Sequence, residues 1–218
     1  MNPNLDTKTD LTYYSRERRW PSLFPIKEYS LILDIGCGQG KLGQYLKNKY
    51  NAHVTGIEII EDNYLIAKKV LDNAILGDIE KLDLSEFNQK FDYIIFSDSL
   101  EHLADHVSAV NHLKKTLKPD GKLLISIPNI RNFRVTLPLL FCDSFEYQDE
   151  GILDRTHLRF FTRTSISNFL FRTGFYVENI FYDLPIKSKV GILNVFTFGF
   201  LKNLLTSHYF IQACLKKS

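Results

Sequence analysis

Cysteine is scarce in this 218-residue chain, with Cys37, Cys142 and Cys214 its only three. An odd, scattered set gives neither a disulfide framework nor the paired spacing of a zinc site. Excess charge is missing too. Against 27 Lys and Arg stand 25 Asp and Glu, a net charge of +2, well short of the basic surplus that marks a nucleic-acid-binding chain. No spanning helix is expected. The most apolar stretch, "KVGILNVFTFGFLKNLLTSHY", is short and broken by Asn194, Lys202 and two glycines. The first ten residues, "MNPNLDTKTD", lack the apolar centre of a secretory signal, so a cytoplasmic protein is expected. There is no internal repeat and no low-complexity tract.

What the chain does have is alternation. Short apolar runs suited to buried parallel strands occur at Leu31–Ile35, His53–Glu58, Asn73–Gly77, Phe91–Ser97 and Lys122–Ile127. Between them lie helical patterns at Lys41–Tyr50, Glu61–Leu71 and from the Asp105 cap to Leu117, where Pro119-Asp120-Gly121 reads as the stop. A helix over Ser165–Thr173, stopped by Gly174, leads to strands at Phe175–Tyr182 and Phe210–Leu215. Strands alternating with helices imply an α/β fold, a mostly parallel sheet covered on both faces.

The first strand runs into "LDIGCGQG", with Gly36, Gly38 and Gly40 at every second position. In such a sheet this turn lies at the carboxyl edge, where ligands bind. Glycine allows a close backbone approach and positive φ. The spacing is not that of a dinucleotide fingerprint, because Lys41 holds the place of the last glycine. Nor is it a phosphate loop, since Leu42 follows Lys41 where Ser or Thr is needed. A nicotinamide oxidoreductase is disfavoured on that ground.

These residues resemble the class I S-adenosylmethionine-dependent methyltransferases. "LDIGCGQG" looks like the first motif of that family, and "VTGIEI", "LGDIEKLDL", "FDYIIFSDSLEHL" and "LKPDGKLLISIPN" follow in family order. The likeness runs from Leu31 to about Phe181 and extends to the ubiquinone-type O-methyltransferases. The segment "GILDRTHLRFFTRTSI" resembles a subgroup linked to small-molecule and surface-sugar pathways. The resemblance implies a Rossmann-like seven-stranded sheet with its last strand antiparallel, and S-adenosyl-L-methionine as cofactor. It places Asp34, Gly36, Cys37, Gly38 and Gly40 around the methionine end, Glu58 on the ribose hydroxyls, Asp78 and Ile79 at the adenine, and Ser97 beside the cofactor. Each has a plainer reading: Asp34 as a turn former, Glu58 as a helix cap, Asp78 as an Asx turn, Cys37 as a small filler.

A sulfonium is already an activated methyl donor, so such a site mainly aligns nucleophile, methyl and sulfur. An oxygen or nitrogen nucleophile also calls for a base. His157 and His102 are the candidate catalytic residues. Asp98, Glu101 and His102 stand at i, i+3, i+4, which one helical turn would bring to one face. In ubiquinone-type enzymes a similar group is associated with magnesium, although histidine suits magnesium poorly, and no metal is expected here. Arg155 and Arg159 flank His157 and are candidates to hold an acidic acceptor. Tyr13 and Tyr14, in "YYSRERRW", are candidates to cover the site.

One domain spans 1–218. Residues 1–29 read as an N-terminal cap, 128–164 as a substrate-side insertion in the form of a long loop, and 184–209 as a C-terminal lid or surface element. From Leu184 onward there are five lysines and no acid. A lid, a dimer surface and a peripheral membrane contact through 187–206 all fit that composition. The expected function is methyl transfer to the oxygen or nitrogen of a small-molecule acceptor, by a monomer or homodimer without nucleic acid. The alternative is a non-catalytic cofactor-binding protein of regulatory or scaffolding role.

Overall fold

A computed structural model describes residues 20–184 and 189–216. Tyr13 and Tyr14 lie outside the described residues. The elements are β1 Leu31–Ile35, α1 Lys41–Tyr50, β2 His53–Glu58, α2 Glu61–Ala67, β3 Asn73–Leu76 and β4 Phe91–Ser97. They continue as α3 His106–Leu113, β5 Leu117–Pro128, α4 Phe133–Cys142, α5 Arg163–Arg172, β6 Phe175–Tyr182, α6 Lys189–Phe196, α7 Lys202–Leu205 and β7 His208–Leu215. The seven strands form one sheet in the order β3-β2-β1-β4-β5-β7-β6. β1 to β5 pair in parallel, and β7 runs antiparallel to both β5 and β6.

Alternation along the strands builds two cores. Leu33, Ile94, Leu123 and Ile211 face one side, where Val110 and Leu113 of α3 and Ile166, Phe169 and Leu170 of α5 cover them. Ile32, Val54, Ile95 and Leu124 face the other, against Leu42 and Leu46 of α1, Ala67, Leu71, and Trp20 and Phe24 from the N-terminal segment. Burial on both faces is what makes these strands read as continuous apolar runs.

Several elements end differently from the sequence pattern. α2 stops at Ala67 rather than Leu71, because the Lys69 and Val70 amides donate to Ile66 and Ala67, three residues back, and tighten the chain out of the α-helix. α3 ends at Leu113 in a short 3₁₀ turn, Lys114–Thr116. Pro119-Asp120-Gly121 is then part of β5, at a register irregularity opposite Phe91 and Tyr93, and not a turn before it. Between β3 and β4 only a 3₁₀ turn, Ser85–Phe87, intervenes, so the alternation lapses there. The connection from Pro128 to Thr164 is no plain loop, since it carries α4.

Candidate active site

The glycine turn joins β1 to α1 at the carboxyl edge. Gly36, Gly38 and Gly40 all take positive φ, at 68°, 54° and 77°. Two of them have no room for a side chain. A Cβ on Gly36 would come within 2.9 Å of Ser99 Cβ, and one on Gly40 within 2.8 Å of Val70 Cγ2. The amides of the turn point inward. Those of Gly36 and Cys37 donate to the Ile57 carbonyl at 2.9 and 3.1 Å, and that of Gly40 to the Cys37 carbonyl at 2.9 Å. The Gly38 amide donates to Glu58 Oε2 at 2.7 Å. These four amides form no nest for a phosphate, in keeping with the glycine spacing.

Glu58 ends β2 and is 4% exposed. Its Oε1 accepts the Ile59 and Ile60 amides, both at 2.9 Å. Burial raises its proton affinity, and the three backbone donors offset part of that rise. The carboxylate therefore ties the glycine turn to the start of α2. It keeps acceptor capacity beyond these three bonds, because two carboxylate oxygens offer about four lone-pair positions.

Asp34 lies on β1 between Gly56 and Ile95, 1% exposed. Cys37 packs behind the turn, where a Cβ on Gly56 would come within 2.5 Å of its Sγ. Burial, then the charges of Asp34 and Glu58, push its thiol far above the usual range. That disfavours the thiolate and suits Cys37 to packing rather than nucleophilic chemistry. Asp78 makes the Asx turn, its Oδ1 accepting the Glu80 amide at 3.0 Å, and its Oδ2 pairs with Lys81 at 3.0 Å. Ile79 is buried in the first core. The Ser97 hydroxyl accepts Trp20 Nε1–H at 3.0 Å, which fastens the N-terminal segment over β4.

The spacing at 98–102 does not give one helical face. Residues Leu100–His102 form a 3₁₀ turn, and Asp98 sits at φ +52°. Asp98 Oδ1 accepts a hydrogen bond from the Ser126 hydroxyl and lies 3.9 Å from His208 Nε2, so it belongs to the β5–β7 side. Glu101 instead meets His157. Their Oε1 and Nε2 are 3.8 Å apart, with side chains 1% and 3% exposed.

Local chemistry puts His157 there. Asp154 is fully buried, and its Oδ1 accepts both the amide and the hydroxyl of Thr156, at 2.8 and 2.7 Å. The His157 amide donates to the Asp154 carbonyl at 2.9 Å. The Leu158 and Arg159 amides then close onto the Glu101 carbonyl, at 2.9 and 3.0 Å. His157 Nδ1 is 3.0 Å from the Ile152 carbonyl, and His102 Nδ1 is 3.1 Å from that of Thr156. A carbonyl only accepts, so both Nδ1 atoms carry the proton and both Nε2 atoms are the basic ones. The two rings stack edge to face at 4.8 Å. Ligand atoms of Glu101, His102 and His157 lie within 4.8 Å of one another, the group among the described residues that could hold a metal ion.

The two arginines beside His157 turn elsewhere. Arg155 makes an exposed pair with Asp149 at 2.6 Å. Arg159 donates to the carbonyls of Ala104 and Leu158 and through Nε to His106 Nδ1, tying the connection to the start of α3. Sequence reasoning passed over Asn129 and Asn132, 0% and 2% exposed. Asn129 Nδ2 donates to Asn203 and Thr206 carbonyls, and Asn132 Nδ2 to those of Leu205 and Thr206. They fasten the start of α4 to α7. The "NIRN" string directly after β5 carries that signal.

A methyltransferase-domain family matches residues 13–180. The chain belongs to that methyltransferase family. It is 35% identical over 107 residues to a ubiquinone biosynthesis O-methyltransferase of Actinobacillus pleuropneumoniae, covering 45% of each chain. It is 36% identical over 112 residues to one from Coxiella burnetii, covering 49% of this chain and 46% of that protein. The chain thus matches somewhat less than half the length of these curated relatives. Among solved structures, a SAM-dependent methyltransferase from Archaeoglobus fulgidus superposes with a TM-score of 0.64 at 18% identity, over 96% of both chains. The 1,6-didemethyltoxoflavin-N1-methyltransferase of Burkholderia thailandensis, with bound 1,6-didemethyltoxoflavin and S-adenosylhomocysteine, gives 0.59 at 15% identity, over 87% of this chain and 72% of that one. At such identities the likeness is one of fold. Among the described residues, no helix is long and apolar enough to cross a membrane.

Proposed function

We propose that this chain transfers a methyl group from S-adenosylmethionine to an oxygen or nitrogen of a small-molecule acceptor by in-line displacement. The observation that carries the reading is the glycine turn at the carboxyl edge, held by a buried glutamate at the end of the neighbouring strand. A carboxylate there suits the paired hydroxyls of a ribose. Inward-facing amides suit a ligand whose adenosine bears no phosphate. When bound, S-adenosylmethionine supplies a methyl already activated by the sulfonium. Asp34, Gly36, Gly38 and Gly40 would line its methionine end, Glu58 would accept from the ribose, and Asp78 and Ile79 would flank the adenine.

The chain's own contribution is position and proton handling. His157 offers Nε2 as the accepting atom, with Nδ1–H on the Ile152 carbonyl fixing the tautomer. Glu101 at 3.8 Å stabilises the imidazolium that forms. His102 packs edge-on against His157 and holds its ring. Catalysis in this reading requires no metal. A second reading, in which Glu101, His102 and His157 ligate a transition metal, has their convergence in its favour.

The test is a thermal melt with added ligands. S-adenosylhomocysteine at a hundredfold excess over its Kd should stabilise the chain by about 2.7 kcal/mol, a rise of roughly 5–10 °C in Tm for a domain of this size. NAD and ATP should give no rise. Stabilisation by either nucleotide without S-adenosylhomocysteine would contradict the reading.

A further inference from the structure

Two carboxylates stand three residues apart in the segment after β4, and each faces a histidine across a similar gap. Glu101 meets His157 at 3.8 Å, with the side chains 1% and 3% exposed. Asp98 meets His208 at 3.9 Å, Oδ1 to Nε2, and that pair is open, the side chains 17% and 28% exposed. Methyl transfer as described above gives the open pair no task. The backbone sets it at the carboxyl edge of the sheet. Asp98 holds φ +52°, and its amide donates to the Ser126 carbonyl at 3.3 Å. The next residue, Ser99, donates through its hydroxyl to the Ile35 carbonyl at 2.7 Å, where the glycine turn begins. His208 opens β7 opposite Pro128, the last residue of β5. The pair therefore reaches from the border of the glycine turn to the edge beyond β5. That is the side which the glycine turn and Glu58 leave to the acceptor.

Hydrogen bonding around the ring assigns its hydrogens. The Ser207 hydroxyl donates to Asp183 Oδ2 at 2.6 Å, and His208 Nδ1 lies 3.2 Å from the same hydroxyl oxygen. A hydroxyl has one hydrogen, so the hydrogen of the second contact sits on Nδ1, and Nε2 of the neutral ring is an acceptor. Nε2 and Asp98 Oδ1 are then two acceptors facing each other beyond hydrogen-bond distance. One atom between them that donates two hydrogens satisfies both. A protonated amine does so, and its charge is stabilised by the Asp98 carboxylate in front and by Asp183 behind the ring. A hydroxyl has a single hydrogen to give, and a carboxylate has none. We propose, on the methyl-transfer reading above, that Asp98 and His208 hold an amino group of the acceptor and so select a small amine. The pair binds and orients this group; Ser207 and Asp183 fix the ring that does so.

The experiment is an NMR titration of the full chain with methylammonium chloride at mildly alkaline pH, with S-adenosylhomocysteine present, read at the histidine ring resonances. Methylammonium carries the recognised group and little else, so its Kd should be about 10 mM, near the ceiling for two non-hydrogen atoms. The His208 ring should shift saturably. His53 should not, although its Nδ1 also stands 3.9 Å from a carboxylate, that of Asp72, because its side chain is 65% exposed. Methanol and acetate should leave His208 unmoved. Asp98→Asn keeps the size of the side chain, and asparagine tolerates left-handed backbone; it should weaken methylammonium about tenfold or more. Ser207→Ala, which frees the tautomer, should weaken it as well. An unmoved His208 in the native chain overturns the proposal, and so does an Asp98→Asn chain that binds methylammonium as tightly. Equal shifts with potassium chloride would mark an adventitious ion only. Nitrogen shifts of an imidazolium in the free chain would mean that His208 closes the gap to Asp98 by itself, and would overturn the proposal too. A chain that binds methylammonium at His208 but never S-adenosylhomocysteine would strike the methyl-transfer reading and leave the ammonium site.

Discussion

Replacing Glu58 by Ala lowers the affinity for S-adenosylhomocysteine by about fivefold to 150-fold, the ~1–3 kcal/mol expected when a charge-assisted hydrogen-bond acceptor is removed. Two effects combine in that loss. The ribose hydroxyls lose their acceptor, and the Gly38 amide loses the oxygen that orders the turn. The sign of the pH dependence follows from the same carboxyl. Burial raises its proton affinity in the folded chain. Glu58 therefore favours the fold in acid, and that contribution is lost as pH rises through the folded value. Ligand hydroxyls donate best to the ionised form, so affinity for S-adenosylhomocysteine should fall with pH at values still above the usual carboxylate range. Calorimetric titration of the native chain and of Glu58→Ala, repeated at several pH values, checks both statements. Unchanged affinity in the variant would take Glu58 off the ribose.

For turnover the largest loss is expected at His157. With an acceptor in hand, His157→Ala should lower kcat by roughly 10²–10⁴-fold, the range for a positioned general base, with affinity for S-adenosylhomocysteine nearly intact. Because His157 is 5% exposed and sits in a buried turn, His157→Gln is the companion variant, similar in size but without a titrating nitrogen. Both should lose turnover if Nε2 takes the proton. A fall in Tm with full turnover in either variant would make His157 a support for the connection after β5. A chelator separates the two readings of Glu101, His102 and His157. Turnover that survives it fits the base. Turnover lost to it and restored by zinc or manganese makes the three residues metal ligands and removes the base assignment.

The glycine turn and Glu58 are legible in the sequence because their chemistry is local. A strand, a glycine triplet and an acid at the end of the next strand are each written within a few residues. The parallel core is legible for the same reason, since burial on both faces leaves unbroken apolar runs. The Glu101–His157 contact is not. Its partners are far apart in the chain, and only the Asp154 turn, which the motif shows without its geometry, brings the ring inward. The reading of Asp98, Glu101 and His102 as one face assumed α-helical spacing, whereas a 3₁₀ turn and a left-handed Asp98 send the aspartate to Ser126. α4 escaped notice because it buries one residue and so carries no apolar period, and Pro138 within it argues for a loop. The guanidinium contacts of Arg155 and Arg159 depend on Asp149 and on the Ala104 carbonyl, which no spacing rule connects to them.

The most direct measurement is a crystal structure of the chain with S-adenosylhomocysteine bound. The account predicts ribose hydroxyls within hydrogen-bond reach of Glu58, adenine beside Asp78 and Ile79, and the sulfur facing a space that His157 Nε2 reaches directly or through one water. Adenosine seated away from the Gly36–Gly40 turn, or a sulfur turned from the Glu101–His157 pair, would contradict it.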